Sequence, residues 1–299
     1  MAVFNDKIIP IPETRVSVSS RLAMYGEGCF DTFRTYNGGL LYPEAHLERL
    51  HRGIHLLGIK RPRRLRDAKS FSLLVRSFLD ANEAMEKDVR VRIQVWADDY
   101  TPGYFPGNHP DQRAACYLIS GIPITEDPPG MNESTELPSG VSMITSRFRR
   151  IPTNALPCDV KWTNGINYIL AAQEARQKNV DDALMLTQDG FVSETTIANV
   201  FWKNGDVVFT PSPDCDLLPG ITRHFLILVL KDIGITIQTG RYKPGELKKS
   251  DMIWACNSVR ELYPVTWLDQ QHFPVDPSFW TMMCDHFQNM KKKSMKDVR

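Results

Sequence analysis

At 299 residues, 42% of them apolar, the chain is long enough for one large domain or two moderate ones with ample core. Its 36 basic and 35 acidic residues nearly cancel, leaving +1, which argues against a dedicated nucleic-acid surface. No stretch approaches the roughly 18 apolar residues of a membrane span, and Met1 to Lys7 lack the form of a secretory signal, so a cytoplasmic chain is expected.

The first legible pattern is Tyr25-Gly26-Glu27-Gly28-Cys29-Phe30-Asp31-Thr32-Phe33-Arg34, an aromatic and a glycine-rich turn leading into a strand. Tyr42-Pro43-Glu44-Ala45-His46-Leu47-Glu48-Arg49-Leu50 follows. Leu47, Leu50, Ile54 and Leu57 share one helical face, and Gly58 is a stop. Val91 to Trp96 alternates apolar and polar as a strand does, and Tyr117-Leu118-Ile119 predicts another. Strand and helix thus alternate over residues 1–120. Residues 121–140, rich in proline, glycine and acids, read as a connection, with a second domain over 141–299.

In the second half, Cys158-Asp159-Val160-Lys161-Trp162-Thr163-Asn164 precedes a helix over Asn167 to Arg176. Short strands follow, divided by the hairpin signals Asp189-Gly190 and Asn204-Gly205. Glu194-Thr195-Thr196-Ile197-Ala198-Asn199-Val200-Phe201 leads by a turn to Val208-Phe209-Thr210. Leu218-Pro219-Gly220-Ile221-Thr222-Arg223 then opens the apolar run Phe225 to Leu230, which predicts a buried helix. Met252 to Asn257 predicts a buried strand entering a polar turn at Ser258. Lys291-Lys292-Lys293 reads as the solvated tail of a helix. The six cysteines are scattered without a C-x-x-C pair, as expected of reduced, mostly buried thiols, and the seven histidines show no metal-ligand spacing.

Several spaced constraints over about thirty residues are far more specific than a lone glycine loop. The run from Glu194 to Arg223, with the Lys161 segment, resembles the class IV (fold type IV) pyridoxal-phosphate-dependent aminotransferases. That resemblance implies an α/β, two-domain fold like that of the D-amino acid aminotransferases: a small N-terminal α/β domain and a larger β-rich α/β C-terminal domain. It also implies a homodimer whose partner closes the site.

The chemistry explains why these residue types belong together. Pyridoxal 5'-phosphate needs an amine to hold its aldehyde as a Schiff base, an acid near its ring nitrogen, and a cup for its phosphate. The resemblance assigns the amine to Lys161. Glu194 would be the acid, because an opposite charge a few ångströms away favours the protonated ring. Gly220, Ile221 and Thr222 would form the cup at a helix N-terminus, whose free N–H groups suit an anion. Asn199 stands among the cofactor-binding residues. Arg49 would reach the phosphate with its planar fork, and Ser258 would line a second phosphate-side loop.

Tyr25, Phe30 and Arg34 match positions that supply an aromatic hydroxyl, an apolar wall and an arginine to the substrate pocket of the branched-chain enzymes. D-amino acid enzymes tend to carry an arginine just after the strand 91–96. Here that place is Ala97, followed by Asp98-Asp99, so a different carboxylate trap is expected, with Arg90 and Arg92 as candidates. The implied activity is ping-pong transfer of an amino group between an amino acid, of branched-chain L- or D-type, and a 2-oxo acid. Elimination of pyruvate from aminodeoxychorismate is the alternative. A catalytically silent cofactor-binding protein is the reading of another class.

Overall fold

The computed structural model describes residues 1–107, 113–125 and 139–297. They fall into two compact units: Met1–Thr125 with Val160–Asn164 and Ser294–Arg299, and Glu126–Asp159 with Gly165–Lys293. Lys161 and its neighbours therefore group with the N-terminal residues. Most of the expected connection, 126–138, lies outside the described residues; Gly121 to Pro123 continue a strand.

The first unit contains strands β1 (Ala2–Phe4) and β2 (Lys7–Ile9), helix α1 (Arg21–Tyr25), strands β3 (Gly28–Tyr36) and β4 (Gly39–Leu41), helices α2 (Pro43–Leu56) and α3 (Ala68–Asp80), and strands β5 (Val89–Ala97) and β6 (Ala115–Pro123). Tyr25 thus ends a short helix, capped by Ser20, rather than beginning the strand. The strands form an antiparallel sheet in the order β4-β3-β5-β6-β1-β2. On β3 and β5, alternate residues face opposite ways. Cys29, Phe33, Val91, Ile93 and Val95 form the core with Leu47, Leu50 and Ile54 of α2 and Phe71, Leu74 and Phe78 of α3. Phe30, Thr32 and Arg34 face away from it, opposite Gln94, Arg92 and Arg90 in register. Proline at its N-terminus suits α2, and Gly58 takes a φ of 60° just past its end.

The second unit contains β7 (Val141–Arg149), α4 (Ile166–Gln177), β8 (Asp182–Leu186), β9 (Val192–Thr195), β10 (Asn199–Asn204), β11 (Val207–Pro211), α5 (Ile221–Asp232), β12 (Thr236–Gly240), α6 (Pro244–Leu247), β13 (Met252–Asn257), β14 (Glu261–Leu268), β15 (Gln271–His272) and α7 (Pro277–Ser294). A last strand, β16 (Met295–Asp297), pairs with β4 in the first unit's sheet. Both expected hairpins are present: β8 with β9 and β10 with β11 run antiparallel, and Gly190 and Gly205 take φ of 75° and 57° in their turns.

Strands β10-β13-β14-β7-β8-β9 follow one another in hydrogen-bonded order, and β9 returns to pair with β10. Six strands thus close into a ring, and β11 and β12 extend the sheet beyond β10. Val141, Leu184, Val192, Val200, Ile253, Ala255 and Val265 belong to one buried apolar cluster of these strands. The apolar run read as a buried helix is α5, which buries Phe225, Leu226, Val229 and Leu230. The lysine run departs from its reading. Lys292 and Lys293 are exposed, but Lys291 is buried because an acid, Glu261, waits for it inside.

Candidate active site

The candidate residues divide between the two units. In the first, residues 160–164 run along the start of β3 like an added strand. Phe30 N donates to the Lys161 carbonyl at 2.9 Å, Thr163 N donates to the Gly28 carbonyl at 3.0 Å, and Cys29 and Trp162 form an antiparallel bridge. The Thr163 hydroxyl also bonds the Gly26 and Gly28 carbonyls. Val160 is buried in the core beside Gly53 of α2, where a Cβ would stand 2.7 Å from Cys29 Sγ. The lysine backbone is therefore clamped on a rigid strand while its side chain remains half-buried.

Lys161 Nζ lies 5.4 Å from the Phe30 ring centroid, and the Arg92 guanidinium lies 3.6 Å from the same centroid. Both cations are within cation–π range of one aromatic ring. Arg92 is exposed to solvent, but partial desolvation of its guanidinium, helped by the Arg90 charge, pushes its pKa below its ordinary value. Arg34 is buried and bonds Asp88 through Nε at 2.8 Å, with its Nη2 on the same carboxylate oxygen. Arg34 and Arg92 thus share a sheet face but have different partners. The Tyr25 hydroxyl accepts from Gly103 N at 2.7 Å, and its ring lies 5.5 Å from that of Tyr104. Ala97 is buried as the last residue of β5.

On the core side of β3, Asp31 takes the fork of Arg49. Nε donates at 2.9 Å and Nη2 at 2.6 Å, and His46 Nδ1 lies 3.3 Å away. Burial alone would raise the Asp31 pKa, but the Arg49 charge and the hydrogen bonds of Arg49 and His46 hold it well below the usual carboxylate range. Burial pushes the His46 imidazole down, against the pull of Asp31, so the ring is neutral near pH 7. Buried close to Asp31, the Cys29 thiol is raised to about 12 and stays protonated.

In the second unit Glu194, only 4% exposed, is the centre. Its Oε1 accepts from Tyr168 of α4 at 2.9 Å and lies 3.1 Å from Arg150 Nε. Its Oε2 accepts from Leu218 N at 3.1 Å and from Asn199 Nδ2 at 3.3 Å. Burial, then the Glu194 carboxylate, push the Tyr168 hydroxyl well above its ordinary value, so it remains a neutral donor. Asn199 Nδ2 also donates to the Leu218 carbonyl at 2.9 Å, tying down the chain that enters α5. Gly220 caps that helix, and a Cβ there would overlap Asn199 Oδ1. Residue 220 must therefore be glycine for the loop to lie this close.

The first turn of α5 has no side-chain cap, and the first amides of a helix have no carbonyl partner within it. Thr222 Oγ1 lies 3.3 Å from Ser258 Oγ, which sits in the turn between β13 and β14. An uncapped helix N-terminus, two hydroxyls and a close-approach glycine are a donor set suited to a phosphate. This unit brings together Glu194, Asn199, Gly220, Ile221, Thr222 and Ser258 through a few bonds. Sequence reasoning missed Arg150 and Tyr168, the other supports of Glu194. Neither carries a local signal: one follows a strand, the other lies within a helix.

Two units, one built on an antiparallel sheet and one on a closed ring of strands, make up the type IV α/β fold. The branched-chain amino acid aminotransferase of Thermobaculum terrenum, solved in its PLP form, has this fold, with a TM-score of 0.86 at 20% identity over 100% of this chain and 98% of that one. The model of amino-transferase class IV matches residues 28–268, and the chain belongs to that family. Aminodeoxychorismate lyase of Bacillus subtilis (strain 168) is 30% identical over 250 residues, 84% of this chain and 80% of that protein. Branched-chain-amino-acid aminotransferase-like protein 2 of Arabidopsis thaliana is 29% identical over 273 residues, 90% of this chain, which spans only 46% of that protein's length.

Proposed function

We propose that the chain is a pyridoxal-phosphate-dependent aminotransferase, working as a homodimer, that moves an amino group between an amino acid and a 2-oxo acid. The observation that carries this is the connected set in the second unit. A buried carboxylate, Glu194, is bonded through Asn199 and Leu218 to the loop that presents the α5 N-terminus. An acid for a pyridine nitrogen and a cup for a phosphate are thus built by one framework. Pyridoxal phosphate supplies, when bound, an electron sink for the pair left at the substrate Cα.

The chain's own residues supply the rest. Arg150, Tyr168, Asn199 and the Leu218 amide all contact the Glu194 carboxylate, and Tyr168 holds one oxygen in place. Ile221 and Thr222 amides, the Thr222 hydroxyl and Ser258 bind the phosphate. Arg49, oriented by Asp31, is the further candidate for the phosphate. Lys161 provides the amine and acts as the base that takes and returns the Cα proton. Arg92, packed on Phe30, is the candidate for the substrate carboxylate.

Elimination of pyruvate from aminodeoxychorismate is the second reading, supported by the likeness to the Bacillus subtilis lyase over 84% of the chain. Visible spectra recorded while L-leucine, D-alanine, L-glutamate and aminodeoxychorismate are added separately separate the two. Bleaching of the yellow band by one amino acid, with release of its 2-oxo acid, supports the transaminase and names its donor class. Pyruvate release with the band retained supports the lyase. A protein that takes up no cofactor would overturn both.

A further inference from the structure

Among the described residues, one buried charge outside the candidate site belongs to the lysine run. Lys291 lies on α7 at 8% exposure, and its Nζ is 2.7 Å from Oε1 of Glu261, itself 2% exposed. Gln288, one turn earlier on the same helix face, donates to Glu261 Oε2 at 3.0 Å. Both carboxylate oxygens are thus held by α7. Glu261 has a φ of 57°, a left-handed conformation that a side chain with a Cβ rarely adopts. Such a residue persists where its surroundings over-determine it.

Glu261 is the first residue of β14, directly after the turn that carries Ser258, and it pairs in register with Asn257. Asn257 closes that turn from the other side, its Oδ1 accepting from Val259 N at 2.9 Å and Arg260 N at 2.8 Å. Helix α7 also packs on α5, with Phe287 and Phe225 rings 4.9 Å apart in an edge arrangement. One helix therefore braces both sides of the Thr222–Ser258 contact. It reaches α5 through an aromatic pair and the 258–260 turn through a buried charge.

We infer that Lys291 is a positioning residue: with Gln288 it locks Glu261, and through Glu261 it fixes the Ser258 turn at the spacing from Thr222 that a phosphate requires. The inference rests on the reading of Thr222 and Ser258 as phosphate donors. It predicts that the latch governs affinity for the phosphate and leaves the rest of the cofactor's contacts alone.

The test compares equilibrium binding of pyridoxal phosphate and of pyridoxal, which lacks the phosphate, to cofactor-stripped protein, followed by absorbance. Lys291→Met should weaken pyridoxal phosphate about tenfold while pyridoxal stays within about twofold. Lys291→Arg should restore most of the loss, and Lys292→Met, on the exposed side, should change neither. If Lys291→Met does not fold, Gln288→Leu removes one of the two supports without stranding a charge and should show the same selective loss. Equal binding of pyridoxal phosphate by wild type and variant overturns the latch alone, as does equal weakening of both ligands. A wild type that binds neither overturns the functional reading and the latch's phosphate role together.

Discussion

Glu194 and Asn199 face one another at the single register pair that joins β9 to β10, and the Asn199 amide donates to the Glu194 carboxylate across it at 3.3 Å. The residue pair that closes the ring of strands is therefore also the pair that places the buried acid. Leu218, held by both residues, extends the arrangement to the loop entering α5. Closure of the fold and orientation of the acid are one construction, so changes here report on chemistry and on structure separately only if the charge is altered without the shape.

Glu194→Gln makes that change. The side chain keeps its size and one acceptor oxygen, but it no longer favours a protonated pyridine. The expected result is a fall in kcat of about 100-fold or more with cofactor still bound. Titration by absorbance would measure the binding and steady-state assays the rate. Unchanged kcat with full cofactor occupancy would remove Glu194 from the assigned role.

Lys161→Ala tests the amine. Residues 160–164 are held to β3 by backbone bonds and the Thr163 hydroxyl, so truncating the side chain should leave the fold intact. The variant is expected to lose the yellow band of lysine-linked cofactor and nearly all turnover, with a melting temperature near that of wild type. Wild-type transamination by this variant would sink the assignment of the amine.

Asp31→Asn separates Arg49 from its partner. The carboxylate is 1% exposed and holds two guanidinium nitrogens. Its loss would leave a buried cation without a counter-charge, at a cost of about 3–5 kcal/mol. Urea denaturation should show a lower midpoint, and cofactor affinity should fall as Arg49 loses its orientation. A stability within experimental error of wild type would mean that the pair contributes nothing net.

Much of this was legible in the sequence, and the reason differs from residue to residue. Strand β5 was visible because Val91, Ile93 and Val95 alternate with Arg92 and Gln94, a period that only a half-buried strand satisfies. The run from Glu194 to Thr222 was visible because a tied loop and a helix start demand fixed residue types at fixed gaps. Helix α1 was hidden because five residues are too few to show a period, so Tyr25 read only as an aromatic before the turn into the strand. The partners of Glu194 were hidden because Arg150 and Tyr168 are distant in the chain and are joined to it only by the fold. Lys291 was hidden for a related reason. Three consecutive lysines look solvated until a helix turns one of them toward Glu261.

The His46 ring makes stability depend on pH. Burial, with charge from Arg49 and Lys161, depresses its folded-state pKa below 6.5 in spite of Asp31. Between the folded value and about 6.5, the unfolded chain holds a proton that the folded chain excludes. Stability therefore rises with pH across that window and falls as acid is added, by up to about 1.4 kcal/mol per pH unit. His46→Gln should flatten this part of the profile in urea midpoints measured from pH 5 to 7.5. A variant with the same slope as wild type would assign the dependence to other groups.

Arg92→Met addresses the substrate carboxylate. The guanidinium packs on Phe30, the ring that Lys161 also approaches, and it lies on the sheet face that points away from the core. Removing a charged donor to a carboxylate costs about 1.5–3 kcal/mol, roughly a ten- to hundredfold rise in KM. If the interaction is equally strong in ground and transition states, kcat should hardly change. Arg34→Met offers the contrast. Arg34 is bonded to Asp88, so its loss should appear in the denaturation midpoint before it appears in KM. Steady-state kinetics of both variants against the preferred donor would decide between them. A large KM effect at Arg34 with none at Arg92 would reverse the assignment and make Arg34 the residue that grips the substrate.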